Sequence, residues 1–181
     1  MRSTETNHSL DGALTWWFTG LPAAGKTTLT QAWVGYLRSK HLPVVVLDGD
    51  ELRQGLTRDL GFSLVDREEN MRRVAEVARL LNDAGVHAVV ALVSPTLKGR
   101  ATAREIVNAK RFIEVYVSTP LAVCQARDPK GLYQRAANHE PIGLTGMQSV
   151  YEAPLSPDVV INTHVVSVDE VLALLAHSLR P

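Results

Sequence analysis

Residues Gly20-Leu21-Pro22-Ala23-Ala24-Gly25-Lys26-Thr27 carry the spacing GxxxxGK[S/T]. Glycine lets a main chain come close to a ligand, and a loop that runs into a helix start can aim successive N–H groups at anionic oxygens with the helix dipole behind them. In that setting the Lys26 ammonium suits β- and γ-phosphates, and the Thr27 hydroxyl suits Mg²⁺, a hard ion that prefers oxygen. Thr28 is a further candidate for an α-phosphate. The bland alternative is a glycine-rich turn with no ligand. The position of the motif, after an apolar run and before a helical pattern, favours nucleoside triphosphate binding.

Two carboxylates follow at Asp48 and Asp50, around Gly49. One would help hold Mg²⁺ through water while the other orients or deprotonates an attacking hydroxyl. The competing reading is an ordinary Asp-Gly turn. Arg53, Arg58, Arg67, Arg72 and Arg73 cluster after that turn. Guanidinium forks suit phosphate and sulfate oxygens. For Arg58, Arg72 and Arg73 the favoured reading is instead a solvated face paired with Glu68, Glu69 and Glu76. Ser94 closes an apolar run before Pro95, where it would meet phosphate or merely start a turn. Arg127, Lys130 and Arg135 open a polar stretch that would bring cations to a transferring phosphoryl group.

Those residues need a scaffold. Residues 13–19 form an apolar, aromatic-rich run that predicts a strand buried on both faces, with Trp16 and Trp17 pointing to opposite sides. Helical spacing of Leu29, Trp33, Val34 and Leu37 follows, then a strand over 44–47, which together predict one βαβ unit. A helix over 66–84 is expected, with an Asp66/Glu69 capping box and Gly85 at its end. Strands over 86–93, 112–117 and 158–162 alternate with helices over 98–107, 120–127 and 168–179. This alternation predicts an α/β fold of the P-loop NTPase type, a three-layer sandwich whose mostly parallel sheet carries helices on both faces. Residues 128–156 lack periodicity and are interrupted by Gly131, Pro141, Gly143, Gly146 and Pro154, the signature of an active-site lid.

The 181 residues suit one P-loop domain over 13–181, preceded by a polar, flexible arm over 1–12 that lacks the features of a secretory signal. Lys plus Arg equals Asp plus Glu at 19 each, so no net field gathers nucleic acid or an anionic membrane. No apolar run is long enough to cross a bilayer. The lone Cys124 permits no internal disulfide, and a cytoplasmic location is the expectation. The six His residues show no metal-ligand spacing.

The segments FTGLPAAGKTT, LDGDELRQGLTRDLGFSLVDREENMRRVAEVA, VSP, RFIEVYVSTPLAVCQARDPKGLY and YEAP resemble the adenylyl-sulfate kinases, which make 3′-phosphoadenylyl sulfate from adenylyl sulfate and ATP. DGDxxRxGL followed by LGFSxxDREENxRR is the specific part. The resemblance implies ATP and adenylyl sulfate as ligands, Mg²⁺ as cofactor, and transfer to the ribose 3′-OH. It implies Asp50 as the catalytic carboxylate with Asp48 beside it, and Arg53, Phe62, Arg67, Asn70, Val93 and Ser94 around adenylyl sulfate. Ser94 matches a serine phosphorylated in some members. The Phe62 ring would stack on adenine, worth ~1–3 kcal/mol by analogy with base stacking elsewhere. The resemblance also leaves room for a homodimer and for an ATP sulfurylase partner.

The chain departs from the family where members read GLYKKARAGEIKGFTGI and it reads GLYQRAANHEPIGLTGM. Leu144 stands where a phenylalanine covers the second face of adenine, so it would offer apolar contact without stacking. Thr96 stands where tyrosine or histidine is common. Two alternatives stay open beside the kinase of adenylyl sulfate: a divergent kinase of another small hydroxylated metabolite, and a silent nucleotide-binding regulatory module.

Overall fold

The computed structural model describes residues 12–179, so the arm expected over 1–12 lies outside the described residues except for Gly12. Five strands, β1 (Thr15–Thr19), β2 (Val44–Asp48), β3 (His87–Ala91), β4 (Phe112–Val117) and β5 (Val159–Ile161), pair entirely in parallel in the order β2-β3-β1-β4-β5. Helices are α1 (Lys26–Ser39), α2 (Gly49–Leu52), α3 (Leu64–Asp83), α4 (Leu97–Val107), α5 (Leu121–Arg127), α6 (Leu132–Ala137) and α7 (Val168–Ala176), with a 3-10 turn over His177–Leu179. The expected α/β sandwich is present. Among the described residues, no helix is long and apolar enough to cross a membrane.

Alternation along β1 builds the two halves of the core. Trp16 and Phe18 pack with Leu29, Trp33, Val34 and Leu37 of α1 and Val171 and Leu175 of α7. Trp17, one residue on, faces the other way into Met71, Val74 and Ala78 of α3, Ala103 of α4 and Phe112. Both tryptophans are fully buried. Each large apolar side chain so placed contributes roughly 1.5–3 kcal/mol.

Two local expectations are corrected. Helix α3 starts at Leu64, capped by the Ser63 hydroxyl accepting from the Asp66 N–H at 3.1 Å, so Asp66 lies inside the helix rather than capping it. Glu69 instead takes hydrogen bonds from Arg72 and Arg73, which hold its carboxyl down at about 2. Second, the stretch 128–156, expected to lack periodicity, contains α6. In the sheet β3 lies between β1 and β2, and α2 follows β2 directly. At the far end of α3 the reading holds: Gly85 takes φ +78°, and the N–H groups of Gly85 and Val86 close onto the Asn82 and Leu81 carbonyls at 3.0 and 2.8 Å.

Candidate active site

All five strands run the same way, so their carboxyl ends share one edge of the sheet, and the cleft opens there. It measures about 1640 Å³. A single drug-sized ligand needs roughly 300–1,000 Å³, so the space suits two such molecules.

The phosphate loop leaves β1 and enters α1 at Lys26. Gly25 sits at the helix start with φ +103° and provides no capping side chain, which leaves the first N–H groups of α1 to a ligand. Gly20 packs so tightly that a Cβ there would come within 2.5 Å of the Val117 carbonyl oxygen. Ala23 holds φ +58°, a left-handed conformation usually left to glycine. Behind the loop, the Ala24 carbonyl accepts from Thr119 Oγ1 and Thr163 Oγ1, each at 2.9 Å, and Tyr133 donates to the Pro22 carbonyl at 3.0 Å. Lys26 Nζ folds over the loop to the Gly20 and Leu21 carbonyls at 2.9 and 2.8 Å. Burial lowers its pKa to about 8, although Cys124, Asp48 and Asp50 pull the other way. Pro22, Ala23, Gly25, Lys26, Thr27 and Thr28 line the cleft. Gly20, Leu21 and Ala24 are not among the lining residues; Ala24 is fully buried and Leu21 packs against the core.

Although β3 intervenes, Thr27 Oγ1 donates to Asp48 Oδ2 at 3.3 Å, which joins the helix start to the end of β2. Asp48 also caps α2 by accepting from the Asp50 N–H at 2.9 Å. Asp50 is turned into the cleft and is met by Lys130 Nζ from the 128–156 segment. Among the described residues, no group of three or more His, Cys, Asp or Glu is placed to enclose a metal ion. The donors present are a hydroxyl and a carboxylate, which fits a hard cation that takes its other ligands from water and phosphate.

Across from the loop, Arg53 lies over the Phe62 ring at 4.4 Å and Arg67 lies 5.4 Å from it. Both guanidiniums donate to main-chain carbonyls rather than to carboxylates: Arg53 to Leu60 and Gly61, Arg67 to Phe62 and Gly143. Burial lowers the pKa of each, and for Arg67 the neighbouring Arg53 adds to the effect. Asn70 is buried beside them with its Oδ1 lacking a partner. Two under-neutralised cations, an exposed aromatic ring and an unsatisfied amide define a wall for an anionic, planar ligand. By contrast Arg72 and Arg73 are matched by Glu69 and Asp59, as their solvated-face reading expected.

Val93 and Ser94 line the same cleft. The Ser94 hydroxyl is buried and accepts from Trp17 Nε1 at 2.8 Å, and its backbone is left-handed at φ +49°. Leu144 borders the cleft but is 4% exposed and packs into the core cluster behind the loop, so most of its surface faces protein. Arg127 binds Thr163 through Oγ1 at 2.6 Å and the carbonyl at 3.0 Å. Arg135 pairs with Glu140 at 2.7 Å. Sequence reading gave no role to Thr119, Tyr133 or Thr163: the first two lie within the family-like segment RFIEVYVSTPLAVCQARDPKGLY, and Thr163 lies in no motif.

A phosphate loop at a strand's carboxyl end, two acids beside it and a cationic, aromatic wall opposite define a P-loop phosphotransferase with an anionic second substrate. Comparison with known proteins narrows this. A family model described as adenylylsulphate kinase matches residues 12–162, so the chain belongs to that family. The adenylyl-sulfate kinase of Shewanella amazonensis is 51% identical over 159 residues, covering 88% of this chain and 80% of the relative. That of Pseudomonas entomophila is 47% identical, covering 88% and 76%. A solved structure of the Mycobacterium tuberculosis adenylyl-sulfate kinase, in complex with AMPPNP and adenylyl sulfate, superposes with TM-score 0.87 at 42% identity, covering 93% of this chain and 98% of that one.

Proposed function

We propose that this chain transfers the γ-phosphoryl group of MgATP to the ribose 3′-OH of adenylyl sulfate. The observation that carries the reading is the pairing of Arg53 and Arg67 around Phe62 across the cleft from Lys26, with Asp48 and Asp50 between. The Mycobacterium tuberculosis relative holds a nucleotide analogue and adenylyl sulfate together, which supports a two-substrate cleft here.

In this reading the N–H groups of residues 25–28 and the Lys26 ammonium grip the triphosphate, and Lys26 exchanges its two loop carbonyls for phosphate oxygens. Thr27, with Asp48 through water, would hold Mg²⁺, which neutralises charge on the phosphates. Asp50 accepts a hydrogen bond from the 3′-OH and takes its proton as the new O–P bond forms and the bond from the γ-phosphorus to the β,γ-bridging oxygen breaks, ADP leaving. Lys130, released from Asp50, and Arg127 face the nucleotide as the 128–156 segment closes as a lid. Phe62 stacks on the acceptor's adenine, Asn70 supplies an acceptor for its amino group, and the two arginines hold its anionic groups. Val93 and Leu144 complete the apolar part of that pocket. Ser94 positions the pocket floor, because direct in-line transfer needs no serine intermediate.

Self-association belongs to the same proposal, supported by a hexameric relative from Thiobacillus denitrificans with TM-score 0.69 at 27% identity, covering 93% of this chain and 29% of that one. A coupled assay of ADP release with MgATP, with and without adenylyl sulfate, tests the activity. Release that depends on the acceptor is expected; ATP binding without acceptor-dependent release would overturn it.

A further inference from the structure

Behind the cleft lies a buried charged cluster that the transfer chemistry does not use. Arg100 of α4 and Glu114 of β4 are 3% and 8% exposed, in a part of the sheet otherwise lined by Trp17 and Phe112. Arg100 Nε sits 2.8 Å from Glu114 Oε1. Its other two nitrogens go elsewhere: Nη1 donates to the Ser94 carbonyl at 2.7 Å and Nη2 to the Glu152 carbonyl at 2.7 Å. One guanidinium therefore ties three segments distant in sequence.

Two of these segments lead to the cleft: Ser94 lines it, and Glu152 ends the 128–156 segment whose earlier residues line it. Ser94 lies in the turn after β3, and its left-handed backbone is one that L side chains rarely adopt. The bonds that hold it are those from Trp17 Nε1 to its hydroxyl, and from Arg100 and Thr19 Oγ1 to its carbonyl at 2.7 and 3.3 Å. Glu152 belongs to the return from the 128–156 segment and is bound twice more to the same turn: its N–H donates to the Pro95 carbonyl at 2.8 Å, and its Oε2 accepts from the Leu97 N–H at 2.6 Å. Next to it, the Tyr151 hydroxyl meets Thr19 Oγ1 at 2.9 Å. Arg104 serves as a contrast. It reaches Glu114 at 3.7 Å and Asp158 at 2.7 Å but does not touch the turn.

We infer that Arg100, with its charge balanced by Glu114, is a positioning residue for the acceptor substrate: it fixes the Ser94–Pro95 turn and the end of the 128–156 segment against each other. The inference rests on the proposed activity. A flat guanidinium reaches the Ser94 and Glu152 carbonyls from two separate nitrogens while its charge faces Glu114, a spread that a lysine ammonium, whose three donors share one nitrogen, does not match. The start of the phosphate loop touches the same turn through Thr19 and Gly20, but its far side is braced by Thr119, Thr163 and Tyr133, so loss of the fork falls mainly on the acceptor side of the cleft.

The test measures KM for both substrates in wild type, R100K, R104A and the double variant R100M/E114M. R100K keeps a cation opposite Glu114. The double variant removes both buried charges together, a change that proteins often tolerate without loss of stability. Both are expected to raise KM for adenylyl sulfate about tenfold, since small misplacements of binding groups are costly, and to leave KM for ATP within about twofold. R104A is expected to leave both constants within about twofold of wild type. An acceptor KM unmoved in both Arg100 variants, or two KM values rising together, would overturn the inference. Wild-type protein lacking acceptor-dependent turnover would instead overturn the functional reading beneath it.

Discussion

Lys26 gives a sharp quantitative test, because burial lowers its pKa to about 8 while its proposed role requires it charged. Phosphate oxygens would stabilise the ammonium, so nucleotide binding must raise the pKa and take up a proton wherever the free protein has lost it. The sign follows directly. Below pH 8 the free protein already carries the charge and affinity is full; as pH rises through about 8 the charge must be restored on binding, and affinity falls. With a pKa of about 8, the protonated fraction drops from about three quarters at pH ~7.5 to about a tenth at pH ~9, so Kd for MgATP should rise roughly eightfold. Isothermal titration in two buffers of different ionisation enthalpy should show approaching one proton taken up at the higher pH. The unliganded protein provides an internal contrast. In the unfolded chain Lys26 titrates near its ordinary 10.5, so its contribution to stability improves as pH rises from about 8 towards 10.5. An MgATP Kd that is flat over this range, with no proton uptake, would refute the placement of Lys26 against phosphate. K26M should bind weakly and show no such pH dependence.

Ala23→Gly should relieve the left-handed strain at φ +58°, worth ~1–2 kcal/mol, and lose part of that to a looser unfolded chain; urea unfolding should show a gain of about 0.5–1 kcal/mol, and a clear loss would show that Ala23 is not strained. Asp50→Asn should lower kcat by roughly 10²–10⁴ while MgATP Kd changes by less than about threefold, measured by rapid quench and titration. A parallel loss of both would make Asp50 a nucleotide ligand instead. His87 is buried and accepts from the Leu14 N–H through Nδ1 at 2.9 Å, and burial lowers its pKa from the ordinary 6.5. The unfolded chain thus binds a proton that the folded state resists, so stability should decline as pH falls below about 6.5. Thermal melts of wild type and H87Q should differ in pH slope over that window, and equal slopes would exclude His87 as the cause.

Local chemistry wrote much of this structure into the sequence, but unevenly. The double tryptophan of β1 announces a strand covered on both faces because adjacent side chains must part, and the two halves of the core divide there. A cap is less legible. Ser63 and Asp66 each precede an acidic residue by three positions, and spacing cannot choose between them; the choice is made by Ser63 taking an extended backbone at φ −60°, ψ 160°. Helix α6 is six residues long, too short for a period to show. Long-range ties leave no local trace at all. Nothing in the neighbourhood of Thr163 reveals that it will brace Ala24, and nothing near Arg100 reveals that it will join Ser94 to Glu152.

Strand order, which the sequence does not show, turns out not to matter for the catalytic centre. Reading β1, α1 and β2 as one βαβ unit left the place of Asp48 beside the phosphate loop dependent on that order, and β3 lies between. The acid still arrives because parallel strands end at a common edge whatever their order, and the start of α1 leans across that edge far enough for Thr27 to reach Asp48. Phosphate handling therefore depends on strand direction, which alternation of elements encodes. The acceptor wall does not share this property. Arg53 and Phe62 sit in the connection between α2 and α3 and Arg67 and Asn70 on α3, and their meeting depends on how that connection folds over the cleft. Spacing marked those arginines only as an anionic site in general; the family resemblance supplied adenylyl sulfate. Substitutions that reorder charges on the 53–67 connection should accordingly change which acceptor is used while leaving the nucleotide side intact.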